Sequence, residues 1–285
     1  WSKILMPLLF ILLLAVIARS VTLPGAWKGV RFFLHPDFSK LTASGVLEAL
    51  GHCFYSLSLG MGITVTYGSY MKKEQNIFAA SIWVMGLDTL AAILAGLAIF
   101  PAVFAMGFDP GAGPSLIFKI LPATFNHFPG GTGWLWAGLF FLMLTIGAVT
   151  SGVALLQNGI SFFMDELKWG RKKATVFVGM IMVVLGSLSS LGYGPLACVK
   201  IIGMQFLDFF DFLTNSVMMP IAAVATCLLV SRVIGVEKIE QEVEADGQPF
   251  RRKRIFAFMI RWLCPIFAAI ILASSVANAF GIIKM

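Results

Sequence analysis

Charged side chains are scarce in this sequence. Asp, Glu, Lys and Arg make up 12% of its 285 residues, whereas hydrophobic residues make up 59%. A soluble domain carries about 25% charged residues. So few charges exclude a disordered chain and an ordinary soluble enzyme, and they argue against binding to nucleic acid despite a formal net charge of +7. The composition indicates a membrane protein that crosses the bilayer several times.

Cysteine and histidine are sparse as well. The four cysteines include no Cys-x-x-Cys pair, and three lie in apolar runs, so we interpret them as small buried hydrophobic residues. The three histidines, His35, His52 and His127, are scattered along the chain. Because the sequence shows neither a nucleophile–base pair nor a cluster of metal ligands, a membrane enzyme is the least favoured class.

Long apolar segments dominate the rest of the chain. A helix needs about 20 apolar residues to cross the bilayer, and this predicts an all-α polytopic membrane protein with about seven transmembrane helices. Several of the segments are longer than one straight span, so they must tilt, break or extend beyond the bilayer. The predicted spans are residues 4–23, 43–70, 77–107, 133–164, 174–194, 203–231 and 255–282.

The distribution of Lys and Arg predicts the orientation. With the first residues in the cytoplasm, most of the 21 basic residues lie in cytoplasmic segments. These basic segments then face the anionic membrane lipid of the inner leaflet. The polar stretch at residues 236–254 is predicted to be a solvated loop rather than a binding site.

Two serines and two glycines interrupt the second span. Ser56 and Ser58 shortly precede Gly60 and Gly62 at mid-membrane. One interpretation is a broken helix whose backbone groups bind an ion or a carboxylate, as in many secondary transporters. The other is a tight helix crossing in which small residues make the contact. The residues alone leave both interpretations open.

Further polar groups lie inside other spans. Asp88 is far from the ends of its span, and an acid at that depth costs about 2.5–3.5 kcal/mol, which favours a functional role over contact with headgroup water. Gly147, Thr150 and Ser151 share one helix face and offer oxygen ligands for a small cation, although such a stripe, seen alone, is more often plain helix packing. Asp208 and Asp211 begin the sixth span, where acids are favoured by the helix dipole.

Eight short strings resemble the bacterial branch of the neurotransmitter:sodium symporter family. They follow the family order along the whole chain and are specific together, although each is weak alone. They are LMPLLF at 5–10, LPGA at 23–26, PDFSKL at 36–41, SLSLGMG at 56–62, TYGSY at 66–70, AGLAIFP at 95–101, LPATF at 121–125 and DELK at 165–168.

The resemblance implies a LeuT-like fold of two inverted five-helix repeats. The seven predicted spans resemble family helices five to eleven, so residues 1–285 are expected to form one partial transmembrane domain. Helices one to four, which in the family supply the other unwound helix and half the ligands of each site, are expected in a missing N-terminal repeat of the same polypeptide.

The resemblance also implies roles for individual residues. Ser56 and Asp88 resemble ligands of a first sodium ion, and Gly147, Thr150 and Ser151 resemble ligands of a second. Tyr55 matches the aromatic lid of the substrate pocket, and Asp211 matches the acid of the outer gate, with Asp208 as a bystander. The positions that match the substrate pocket are Tyr55, Ser56, Ser58, Met61, Ser151 and Leu155.

The implied function is sodium-coupled uptake of amino acids by alternating access across the bacterial cytoplasmic membrane. Met61 replaces a Phe of some leucine-selective relatives, so hydrophobic or aromatic L-amino acids are the expected substrates. Asp88 replaces a frequent Asn, and Ala92 stands where chloride-dependent members have Ser, so transport is expected to be chloride-independent. His52 replaces a common Gln and leaves proton counter-transport open. The alternatives are a transport-incompetent fragment or membrane scaffold and, less favoured, an ion channel.

Overall fold

The computed structural model describes residues 2–72, 74–108, 110, 122, 125, 131–192, 194–196, 198–247 and 249–279. His127, most of the LPATF string and the end of the last predicted span lie outside these residues. Within the described part the chain is almost entirely helical and contains no strand. The helices are α1 (Ser2–Val21), α2 (Ala26–Leu34), α3 (Ala43–Ser56), α4 (Ile63–Ser69), α5 (Ile77–Ala105), α6 (Gly133–Glu166), α7 (Arg171–Leu191), α8 (Phe206–Ile234), α9 (Val236–Val243) and α10, which begins at Lys253 and ends at Ala279.

Six of these helices are long and apolar enough to cross a membrane by length and composition, namely α1, α5, α6, α7, α8 and α10. Two of them contain π-helical turns, at Phe212–Met218 and Leu229–Ile234 in α8 and at Met259–Leu263 in α10. The six match six of the predicted spans closely. The all-helical, multi-span architecture predicted from the sequence is confirmed.

The seventh predicted span, residues 43–70, is not one helix. It divides into α3 and α4, and six residues separate them. The structure shows the broken helix, whereas the binding of an ion or a carboxylate by its backbone groups stays a prediction.

The described chain divides into two compact units. The first comprises residues 1–40 and 85–153, and so contains α1, α2, most of α5 and the first part of α6. Its core is formed by apolar side chains that include Leu13, Val103 and Phe140, each at most 3% exposed. Phe33 of α2 stacks on Phe100 of α5 with ring centroids 5.1 Å apart. The last turns of α5 and the first half of α6 therefore share one apolar core.

The second unit comprises residues 41–84 and 154–285. It contains α3, α4, the first turns of α5, the end of α6 and the helices from α7 onward. Within it α8 packs along α10, where Met219 and Ala268 are buried. A smaller cluster of Ile160, Ala174 and Val178 joins the end of α6 to α7. The second unit therefore holds the broken helix against α6 and α8.

The polar stretch at residues 236–254 is partly helical, which differs from the predicted loop. Val236, Ile239 and Val243 recur at helical spacing, and Val236 is buried. The helix α9 therefore has one apolar side, although most residues of the stretch are polar or charged. Lys253 Nζ also contacts Glu240 Oε1 at 2.5 Å, which connects α9 to the start of α10.

Candidate functional site

The site begins at the end of α3. The amide of Ser58 donates to the Tyr55 carbonyl at 3.0 Å, and the amide of Leu59 donates to the Phe54 carbonyl at 2.9 Å. This pair of bonds, with a left-handed residue between helix and turn, is a Schellman motif. The left-handed residue is Ser58, with φ of 54°, where glycine is the usual choice. The serine thus terminates α3 through its backbone conformation.

Two glycines then carry the chain to α4. Gly60 and Gly62 have φ of 77° and 78°, a conformation that other residues adopt only with strain. A Cβ on Gly60 would lie 2.7 Å from the Met219 carbonyl oxygen, and a Cβ on Gly62 would lie 3.0 Å from Asn158 Oδ1. Both positions therefore require glycine for conformation and for space. The backbone at the break approaches α8 on one side and α6 on the other.

A cleft of about 520 Å³ opens beside this break. Four of the residues predicted for the substrate pocket or the gate meet there, namely Tyr55, Met61, Leu155 and Asp211. Its volume falls in the range of small-molecule sites, and its walls are mostly apolar, as such sites usually are. The complete lining is Tyr55, Gly60, Met61, Leu155, Leu207, Phe210, Asp211, Thr214, Asn215, Met218, Met219 and Ala222.

One face of α8 forms most of the cleft wall. Along α8 the lining residues are separated by intervals of three positions and one position in turn, which places them on a single helix face. Of the residues on this face, only Asp211 was predicted from the sequence. The repeated spacing from Leu207 through Phe210, Thr214 and Met218 to Ala222 was the available signal, but an apolar stripe in a membrane helix ordinarily indicates packing.

The polar groups of the cleft are concentrated on the same face of α8. Asn215 Nδ2 donates to Asp211 Oδ1 at 2.6 Å, and Thr214 Oγ1 donates to the Phe210 carbonyl at 2.8 Å. Tyr55 also lines the cleft, and it is 52% exposed. The site therefore combines apolar walls with one oriented carboxylate, an arrangement suited to a small amphiphilic molecule rather than to covalent chemistry.

Ser56 and Ser58 belong to the same unit as the cleft and are half-buried. Neither is among the described residues that line the cleft, and Ser58 lies in the turn that ends α3. Their predicted contact with the substrate stays a prediction.

The predicted sodium ligands on α6, Gly147, Thr150 and Ser151, lie in the first unit. Thr150 Oγ1 donates to the Gly147 carbonyl at 2.9 Å and to the Ile146 carbonyl at 3.1 Å. Because the hydroxyl donates its proton along the helix, the lone pairs of the Thr150 oxygen remain available. The roles of Gly147, Thr150 and Ser151 as sodium ligands stay predictions. Ser151 is exposed on the next position of α6.

Asp88 lies within α5 in the first unit, and its side chain is half-buried. Ser56, its predicted companion at the first sodium ion, belongs to the second unit. The pairing of Ser56 with Asp88 and that of Ser151 with the substrate stay predictions.

A broken helix beside an apolar cleft, within a bundle of membrane-crossing helices, is typical of secondary transporters. The family model for the "Sodium:neurotransmitter symporter family" matches residues 1–282. The chain belongs to that family. Its members are sodium-coupled transporters and not enzymes.

Two bacterial relatives are similar along nearly the whole chain. An uncharacterized sodium-dependent transporter of Haemophilus influenzae is 34% identical over 284 residues, which cover 98% of this chain and 60% of that protein. Another, from Bacillus subtilis, is 34% identical over 289 residues, which cover 99% of this chain and 62% of that protein. The chain thus spans about three fifths of the length of these curated relatives.

A solved structure is also similar. The crystal structure of MhsT in complex with L-phenylalanine matches with a TM-score of 0.85 and 38% sequence identity, over 96% of this chain and 62% of that chain. The LeuT-like fold that the sequence strings implied is therefore confirmed for the part of the fold that this chain covers.

Proposed function

We propose that the protein to which this chain belongs takes up hydrophobic or aromatic L-amino acids together with sodium, by alternating access across the bacterial cytoplasmic membrane. The cleft beside the broken helix carries the proposal. Met61, Leu155 and Phe210 give it apolar walls, and its volume suits a single small molecule. The likeness to a structure that holds L-phenylalanine supports the same substrate class.

Tyr55 and Asp211 are assigned to the gate. Both line the cleft, Tyr55 from the end of α3 and Asp211 from α8. In the proposed cycle the Tyr55 ring covers the bound side chain. The Asp211 carboxylate closes the outer side by pairing with a cation from the part of the protein that this chain does not include.

The sodium ions are assigned to two sets of oxygens. Ser56 and Asp88 bind the first, and the Gly147 carbonyl with the Thr150 and Ser151 hydroxyls binds the second. The Thr150 hydroxyl donates to the Gly147 carbonyl at 2.9 Å, which leaves the lone pairs of the Thr150 oxygen for the second ion. Each positive charge that enters gains about 2.3 kcal/mol per 100 mV of membrane potential, which is the energy that drives uptake.

Asp88 makes the proposed cycle independent of chloride. Its carboxylate supplies a negative charge beside the cations, so no bound anion is needed to balance them. Ala92 follows one helical turn later on α5 and offers no hydroxyl for a chloride ion.

Uptake into proteoliposomes that contain the complete natural protein tests this proposal. An inward sodium gradient should drive accumulation of radiolabelled L-leucine, and excess tyrosine or tryptophan should compete with it, whereas glutamate or lysine should not. Replacing chloride by gluconate should leave the rate unchanged. Accumulation driven equally by a potassium gradient would contradict the sodium coupling, and single-channel current would indicate an ion channel instead.

The proposal includes an N-terminal repeat in the same polypeptide. The chain covers 60% and 62% of the two bacterial relatives, which supports a longer natural protein with further helices. The intact mass of the protein from its native membrane should therefore lie well above 31.0 kDa. A mass equal to that of this chain would instead support a fragment or a scaffold.

A further inference from the structure

Asn158 joins the end of the helix break to the start of α4. Its Nδ2 donates to the Met61 carbonyl at 2.8 Å, and its Oδ1 accepts from Thr66 Oγ1 at 2.9 Å. All three residues belong to the second unit, and Asn158 is half-buried on α6. The side chain therefore holds, at the same time, the last turn of the break and the first turn of the helix that follows.

The chemistry of the partners determines which way the amide faces. A carbonyl oxygen only accepts, so the NH₂ group of Asn158 must face Met61. The carbonyl group of the amide then faces Thr66, whose hydroxyl can donate. The Thr66 amide in turn donates to the Gly62 carbonyl at 2.9 Å. These hydrogen bonds form a chain from the break to α4, and in each of them a donor group faces an acceptor.

Gly62 is the residue that lets the amide come so close. A Cβ at this position would lie 3.0 Å from Asn158 Oδ1 and 3.2 Å from Nδ2, and the φ of 78° already disfavours a side chain. The break, the glycine and the asparagine thus form one local arrangement.

We propose that Asn158 is a positioning residue that sets the substrate selectivity of the cleft by fixing the backbone of Met61. The Met61 side chain lines the cleft, so its placement depends on the backbone that Asn158 holds. Asn158 itself is not among the residues that line the cleft. The selectivity part of this inference rests on the proposed amino-acid transport, whereas the fixing of the backbone does not.

Two single substitutions test the arrangement from its two ends. Asn158→Asp keeps the shape and the acceptor but removes the donor to Met61, and Thr66→Val removes the hydroxyl that orients the amide. Thr64→Val is the matched control, because it makes the same chemical change at an exposed position of the same helix. Each variant is made in the complete natural protein.

The first measurement is hydrogen exchange of the peptide that contains residues 57–62, without substrate. Asn158→Asp and Thr66→Val should each increase exchange there, with no change at α7, and Thr64→Val should match the wild type. Because the two substitutions break one chain of bonds, the double variant should exchange no faster than Asn158→Asp alone. Wild-type exchange in Asn158→Asp would overturn the inference, as would an equal increase in Thr64→Val.

The second measurement is binding of L-leucine and of L-alanine. Loss of one hydrogen bond should raise the Kd for leucine about threefold to tenfold in Asn158→Asp. The Kd for alanine should rise less, because its short side chain depends less on Met61. A uniform rise for both amino acids would overturn the positioning role. If the wild type binds neither, the proposed function fails, and the exchange measurement still decides whether Asn158 fixes the break.

Discussion

Asn215 Nδ2 donates a hydrogen bond of 2.6 Å to Asp211 Oδ1, one turn earlier on the same face of α8. Both residues line the cleft, whose other walls are largely apolar. A hydrogen bond to an ionised carboxylate is shorter and about twice as strong as one between neutral groups. Asn215 therefore orients the carboxylate of Asp211, the group assigned here to the outer gate.

Replacing Asp211 by Asn should weaken substrate retention. The substitution keeps the shape but removes the charge that closes the gate, and hydrogen bonds to charged groups contribute about 1.5–3 kcal/mol. We expect the Kd for L-leucine, measured with the purified complete protein, to rise at least about tenfold. Asp208→Asn makes the same change one turn earlier and should stay within about twofold of the wild type. Equal effects of the two variants would remove Asp211 from the gate.

Replacing Met61 by Phe should shift the preference towards smaller substrates. The larger, stiffer ring narrows the cleft, and a size difference of this order changes discrimination by about 1–3 kcal/mol. The ratio of the tryptophan Kd to the leucine Kd should therefore increase about tenfold. Met180→Phe places the same change on an exposed position of α7 and serves as the control. An unchanged ratio in Met61→Phe would show that Met61 does not contact the substrate side chain.

Replacing Thr150 by Val should weaken sodium binding. The variant loses the hydroxyl whose lone pairs face away from the Gly147 carbonyl, so the proposed second ion loses one ligand. We expect the sodium concentration for half-maximal leucine binding to rise about tenfold, in line with the loss of one strong polar contact. Thr145→Val is the matched control, since its hydroxyl donates to the Phe141 carbonyl on an exposed part of the same helix. A similar shift in both variants would indicate a general effect on α6.

Replacing Asp88 by Asn should also weaken sodium binding, for an electrostatic reason. The amide introduced by Asp88→Asn would carry no charge, so the positive charge of the two sodium ions would be less well compensated than by the Asp88 carboxylate. An uncompensated charge in a low-dielectric site is costly. The sodium requirement should rise at least about tenfold, while wild-type uptake continues unchanged in gluconate. A wild-type requirement for chloride would contradict this assignment directly.

Much of the fold follows from hydropathy. Six predicted spans correspond to six long helices, because a run of about 20 apolar residues has few alternatives to a membrane-crossing helix. The serines and glycines of the second span raised the possibility of a break but did not decide it. The decision depends on the close approach of Met219 and Asn158 to Gly60 and Gly62, which is a tertiary contact.

The site was predictable only in part for the same reason. Tyr55, Met61, Leu155 and Asp211, which the family resemblance assigned to the pocket or the gate, line one cleft. The α8 face from Leu207 to Ala222 was not predicted, because apolar residues at helical spacing do not distinguish a cleft wall from a packed interface. Asn158 was not predicted either, since its role depends on a carbonyl 97 positions earlier in the chain.

One binding experiment measures the coupling between sodium binding and amino-acid binding in the cleft. The Kd of the complete purified protein for L-leucine is measured in sodium chloride and in potassium chloride at equal ionic strength. We expect a Kd at least about tenfold lower in sodium, and by linkage leucine must lower the half-saturating sodium concentration by the corresponding factor. Equal Kd values in the two salts would contradict this coupling.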